Sequence, residues 1–131
     1  MILVDSNDLL DVITEDPTWY GWSSRALADA ESTAGVAINP VIYAEVSVRF
    51  RHREDLDARL GDVTRLAIPY DAAFLAGKLF LDHRRAGGRR SAPLPDFFIG
   101  AHAAVAGMRL LTRNPGDYST RLPGLRLIHP G

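Results

Sequence analysis

Three acids stand in places where carboxylates are costly. Asp5 follows the apolar run Ile2-Leu3-Val4; Glu45 lies between Tyr43 and Val46 in an apolar helical stretch; Asp96 opens the equally apolar Leu94-Pro95-Asp96-Phe97-Phe98-Ile99-Gly100. Each has an ordinary alternative. Asp5 could cap the helix after it, Glu45 could pair with Arg49 at i+4, and Asp96 could answer a helix dipole worth ~0.3–1 kcal/mol. Brought together, they could not simply coexist. Two unit charges ~4 Å apart repel by about 4 kcal/mol at an effective dielectric of 20, so either a proton is taken up or a cation fills the gap. An all-oxygen donor set selects a hard ion, Mg²⁺ or Mn²⁺. Such an ion polarises a phosphodiester and activates water, so phosphodiester hydrolysis is the expected chemistry, although carboxylates alone do not separate it from phosphomonoester hydrolysis.

A second segment, Leu110-Leu111-Thr112-Arg113-Asn114-Pro115-Gly116-Asp117-Tyr118, ends a strand at Thr112. It could bring Thr112, Asn114 and Asp117 to the same place, or it could be a turn, since Asn-Pro-Gly-Asp is good turn chemistry. The four histidines, His52, His83, His102 and His129, have no ligand-spaced partners, and His102 reads as a helix-surface residue. With no cysteine in the chain, thiolate metal sites and cysteine nucleophiles are excluded.

The elements that must position these groups alternate along the chain. Short apolar strands are expected at 2–4, 36–38, 65–68, 109–112 and 126–128. Helices are expected from Asn7 with Ser6 as cap, from Pro17 to about Ser32, from Pro40 to about His52, over 54–61, from Asp71 as cap to about Ala86, and from Pro95 to about Gly107. Residues 87–94 and 113–124 read as loops. Alternating strands and helices imply a parallel sheet covered on both faces, and the fold class is a three-layer α/β/α domain with a central, mostly parallel sheet. Functional groups in such folds gather at the carboxyl ends of the strands, where Asp5 and Thr112 lie.

The bulk properties agree with one such domain spanning residues 1–131. The 131 residues are 47% hydrophobic and 24% charged, with a net charge of −1. Near-neutrality argues against a surface that grips nucleic acid everywhere, but fourteen of the fifteen basic residues are arginine. The clusters at Arg84-Arg85 and Arg89-Arg90, together with Arg113, are candidate RNA-backbone contacts, or else solvated faces. No segment approaches the ~20 apolar residues of a membrane span, and the first residues are unlike a secretory signal. The expected location is cytoplasmic.

Taken in order, Ile2-Leu3-Val4-Asp5-Ser6-Asn7, Ala44-Glu45, Pro95-Asp96-Phe97-Phe98-Ile99-Gly100-Ala101-His102-Ala103 and Leu111-Thr112-Arg113-Asn114-Pro115-Gly116-Asp117-Tyr118 resemble the PIN-domain ribonucleases, more narrowly the VapC-type toxins of toxin–antitoxin pairs. The resemblance spans nearly the whole chain. It implies Mg²⁺ held by Asp5 and Asp96, a helical glutamate at Glu45, a small hydroxyl at Ser6, RNA cleavage, a homodimer and a cognate antitoxin. The acid that the family often carries after the threonine-arginine pair is Asn114 here, leaving Asp117 as the nearest carboxylate. That departure keeps open a PIN-like binding module with weakened catalysis. A phosphoacceptor receiver domain ranks third, because Asp5 stands alone and the only lysine, Lys78, falls mid-helix. Trp19, Tyr20 and Trp22 could line a groove for an antitoxin helix or pack in the core.

Overall fold

The computed structural model describes residues 1–87 and 94–131. Five short strands, β1 (Ile2–Val4), β2 (Val36–Ile38), β3 (Thr64–Arg65), β4 (Arg109–Leu111) and β5 (Leu127–Ile128), form a sheet in the order β3-β2-β1-β4-β5. Every neighbouring pair is parallel. The sheet is therefore wholly rather than mostly parallel, and β1 lies at its centre. Ile2, Leu3, Val4, Ala37, Ile38, Leu110 and Leu111 are almost fully buried, as expected of strands covered on both faces.

Seven helices complete the three-layer α/β/α arrangement among the described residues: α1 (Ser6–Ile13), α2 (Tyr20–Thr33), α3 (Pro40–Ser47), α4 (Arg53–Leu60), α5 (Tyr70–Arg85), α6 (Leu94–Ala106) and α7 (Gly116–Ser119). α1 packs on α2 and α5 on α6, while α3 touches one member of each pair, α1 and α6. Among the described residues no helix is long and apolar enough to cross a membrane.

Several boundaries differ from expectation, each for a local reason. α2 starts at Tyr20 rather than Pro17 because the Asp16 carboxylate accepts the backbone N–H groups of Thr18 and Trp19, at 2.9 and 2.8 Å, and holds a turn there. α3 stops at Ser47, short of His52; the Ser47 hydroxyl bonds the Ala44 carbonyl at 2.6 Å and the chain turns before α4. α5 is capped from Pro69, with Asp71 in its first turn instead of at the cap. α1 begins at Ser6 with Asp5 in the cap position. The segment 113–124 is not all loop, since it contains α7, which buries Tyr118.

Gly100 on α6 stands where no side chain fits. A Cβ on Gly100 would lie 2.8 Å from Leu122 Cδ1 and 3.0 Å from Tyr118 Cδ1. Gly100→Val is therefore expected to destabilise the protein by about 2–3 kcal/mol and to push Tyr118 off its partners. Thermal unfolding of the variant beside wild type measures this.

Candidate active site

Asp5 occupies the cap position of α1, yet its side chain makes no capping bond. The carboxylate instead faces the end of β4. Its Oδ2 accepts the Thr112 hydroxyl at 2.8 Å and the Tyr118 hydroxyl at 3.1 Å. Thr112 Oγ1 in turn accepts the backbone N–H of Asn114 at 3.1 Å, so Asn114 supports the site through its backbone. Parallel pairing of β1 with β4 makes this possible: Val4 pairs with Leu111, so Asp5 and Thr112 leave the sheet side by side.

Glu45 joins from α3. Ser6 Oγ donates to Glu45 Oε1 at 2.8 Å and lies 3.5 Å from Asp5 Oδ1. No Glu45–Arg49 ion pair forms among the described residues. Asp96, in the first turn of α6, makes no side-chain hydrogen bond with the described residues. Asp117, on α7, is exposed, but its charge bears on Asp96.

The electrostatics join these groups into one site. Burial, with the Glu45 charge adding to it, pushes the Asp5 carboxyl above the ordinary carboxylate range against the pull of Thr112 and Tyr118. Burial first, then the charges of Asp5, Asp117 and Glu45, raise Asp96 to about 7. Asp117, though exposed as a residue, is also raised, by partial desolvation of its carboxyl group. Asp5, Glu45, Asp96 and Asp117 thus converge, and no cation among the described residues offsets Asp5 or Asp96.

This uncompensated, all-oxygen pocket fits a hard divalent ion. Asp5 and Asp96 are the carboxylates that could hold it. Among the described residues no three His, Cys, Asp or Glu side chains form a ready-made metal cage. A few carboxylates with open positions is the pattern that suits an ion retaining several of its waters.

Other expected site residues are placed differently. Arg113 Nε donates to the buried Asp11 carboxylate at 2.8 Å, and its guanidinium lies over the Trp19 ring at 5.4 Å. One of its N–H donors is thus turned inward to Asp11, and the side chain is 22% exposed. Arg89 and Arg90 lie outside the described residues. Trp22 packs against the core and meets Trp19 edge-on, which favours the packing reading, whereas Tyr20 remains exposed.

His102 is a correction: it is 2% exposed, not a surface residue. Its ring Nδ1 lies 3.0 Å from Asn39 Nδ2, and Asn39 Oδ1 accepts the Ile42 N–H at the start of α3. The amide must donate to Nδ1, so the ring proton sits on Nε2, and burial holds the ring pKa low. Asn39 thereby ties α3, which carries Glu45, to α6, which carries Asp96.

Three further polar residues escaped sequence reading. Tyr118 reaches Asp5 only because Gly100 leaves room for its ring. Asp8 and Asp11 are buried on α1 around Ser23, whose hydroxyl lies 2.8 Å from Asp11 Oδ2 and 3.3 Å from Asp8 Oδ1. Asp8 Oδ2 has no hydrogen-bond partner. Acids at i and i+3 inside an otherwise apolar helix were the available signal.

The chain is thus a three-layer α/β/α fold with a wholly parallel sheet and acids gathered at the carboxyl end of its central strand. Solved structures agree. A chain of the VapBC2 complex of Rickettsia felis, bound to a DNA fragment from its promoter, superposes with a TM-score of 0.74 at 20% identity over 100% of both chains. A toxin–antitoxin complex from Klebsiella pneumoniae gives 0.70 at 23% identity, over 98% of this chain and 96% of that one. VapBC-1 from nontypeable Haemophilus influenzae gives 0.74 at 18% identity, over 98% of each. At these identities the likeness is one of fold. No family model matches the sequence, and no curated protein matches it.

Proposed function

We propose that this protein is a metal-dependent endoribonuclease acting as the toxin of a VapBC-type toxin–antitoxin pair in the cytoplasm. The observation that carries the reading is the convergence of Asp5, Glu45, Asp96 and Asp117 in a pocket with no offsetting cation. The full-length fold likeness to chains of VapBC complexes supports it. Mg²⁺, or Mn²⁺, is the proposed cofactor; when bound, it supplies Lewis-acid polarisation of a phosphodiester and a more acidic water.

The protein's own residues have separable roles in this reading. Asp5 and Asp96 hold the ion. Thr112 and Tyr118 fix the Asp5 carboxylate through Oδ2. Ser6 orients Glu45, which is then placed to accept a proton from a reacting water. Asp117 adds negative charge at the rim, and Asn114 braces Thr112.

The antitoxin is proposed to lay an apolar helix face into the groove between α1, α2 and the start of β3. That groove has a volume of about 390 Å³ and is lined by Leu9, Val12, Ile13, Leu27 and Val63. A homodimer completes the proposed assembly.

The reading is tested by incubating the protein with RNA in the presence of Mg²⁺, Mn²⁺ or EDTA; cleavage should require the ion. A readout without RNA is also available. Ion binding stabilises the folded state, and Asp96 is mostly charged only above about pH 7. Mg²⁺ should therefore raise Tm more at pH 8 than at pH 5, and Asp96→Asn should remove most of the difference. An equal shift at both pH values would count against ion binding at this pocket.

A further inference from the structure

A second cavity opens at the carboxyl ends of β2 and β3. Its volume is about 310 Å³, and its walls include Pro40, Tyr43, Arg53, Arg65, Leu66 and Ala67. That is the small end of the range for ligand pockets, ~300–1,000 Å³, enough for one base and its phosphate.

The walls are positively charged. Arg53 Nε lies 3.5 Å from Asp57 Oδ2, and Arg65 Nη1 lies 3.1 Å from Asp57 Oδ1. One carboxylate answers two guanidiniums, leaving a net positive charge. The Arg65 guanidinium also lies over the Tyr43 ring, 5.4 Å from its centroid, and the Tyr43 hydroxyl donates to Asp57 Oδ1 at 2.7 Å. Tyr43 and Arg65 are therefore both held in place by Asp57. The Arg53 side chain is 77% exposed, so most of its donors face solvent. Arginine for phosphate and a fixed aromatic ring for a base are what single-stranded RNA uses.

The cavity shares an edge of the sheet with the acids. Leu3 pairs with Ala37, and Ile38 with Arg65, so Asp5, Asn39 and Leu66 end their strands at one level. α3 stands between the two places. Tyr43, Ala44 and Glu45 project at successive steps of about 100° around it: Tyr43 toward Asp57, Glu45 toward Ser6, and Ala44, small and exposed, between them. A strand crossing the ~10 Å width of a helix at Ala44 meets both.

We propose that this cavity is a subsite for an RNA nucleotide flanking the one held at the acids, with Arg53 and Arg65 on its phosphate and the Tyr43 ring against its base. The subsite rests on the ribonuclease reading for its substrate, but it can fail separately.

The test is binding of a labelled single-stranded oligoribonucleotide in EDTA, titrated with salt. Arg53→Gln and Arg65→Gln should each weaken binding about 3–10-fold and flatten the log Kd–log salt slope by about 0.7. Arg53→Lys should keep the slope, and Ala44→Glu should weaken binding. Because the Arg53 side chain is so exposed, Arg53→Gln stays folded and can decide alone if Arg65→Gln does not. An unchanged slope in Arg53→Gln overturns the subsite, even where wild type cleaves RNA with Mg²⁺. Unchanged RNA affinity with weakened binding of a protein partner also overturns it. Weakened RNA binding in the variants, with no cleavage by wild type, upholds the subsite and removes the ribonuclease reading.

Discussion

Changing Asp96 to Asn is expected to lower Mg²⁺-dependent RNA cleavage by about 1,000-fold, and Asp5→Asn by a similar factor. Loss of metal stabilisation worth several kcal/mol accounts for that size, at ~1.4 kcal/mol per tenfold. Both substitutions keep the side-chain shape. Asparagine at position 5 still offers an oxygen to Thr112 and Tyr118, and Asp96 has no hydrogen-bond partner to lose among the described residues. The folded state should survive, so a loss of activity reads out the site itself. Thr112→Val provides a graded companion: it removes the 2.8 Å bond that orients Asp5, and a lost supporting bond of that kind typically costs 10–100-fold. Cleavage is measured on one RNA at matched protein concentration, with folding checked by circular dichroism. Retained cleavage in Asp5→Asn or Asp96→Asn would reject the assignment.

A substitution at Asp8 is expected to stabilise the protein in a pH-dependent way. It is fully buried, one of its oxygens has no partner, and burial first, then the charges of Asp5 and Asp11, raise its pKa to about 8. A carboxyl whose folded pKa exceeds its unfolded value of ~3.9 binds more protons in the folded state between those values. Stability is then full below about pH 4, falls as pH rises, and levels off above about pH 8. Asp5 and Asp96, also raised, act in the same direction, Asp96 up to about pH 7. Asp8→Val removes the buried charge, while Ser23 keeps its stronger bond to Asp11. The variant should be more stable than wild type by about 2 kcal/mol at pH 9, with little difference at pH 5. Urea unfolding at the two pH values measures this; equal stabilisation at both would mean that Asp8 is already ionised at pH 5 in the folded protein.

Much of this architecture could be read along the chain because it depends on local pattern. The runs 2–4 and 36–38 are bounded by Asp5 and Asn39, and their uniform hydrophobicity signals strands covered on both faces. Asp5, Glu45 and Asp96 stand out because each interrupts an apolar segment. Where reading failed, the deciding partner was remote in sequence. His102 looks like a surface residue until Asn39, 63 positions away, is placed beside it. The start of α2 is the local exception: Asp16 delays it through bonds to residues two and three positions on, a turn that competes with helix after Pro17. Tyr118 sits in a stretch rich in turn residues, and only the missing Cβ at Gly100 lets it reach Asp5.

Sequence by itself determined the alternating strands and helices, the acids that carry the proposed chemistry and the strand end at which two of the expected groups emerge. Periodicity and residue type are local, and they suffice for that much. Tertiary structure decided which oxygen of Asp5 is tethered, that Arg113 turns inward to Asp11, and that two arginines and a tyrosine share a cavity across α3 from the acids. Those outcomes depend on the register of the parallel strands and on close packing between distant segments. Side-chain direction and burial are set there, and so are the charges that each carboxylate feels.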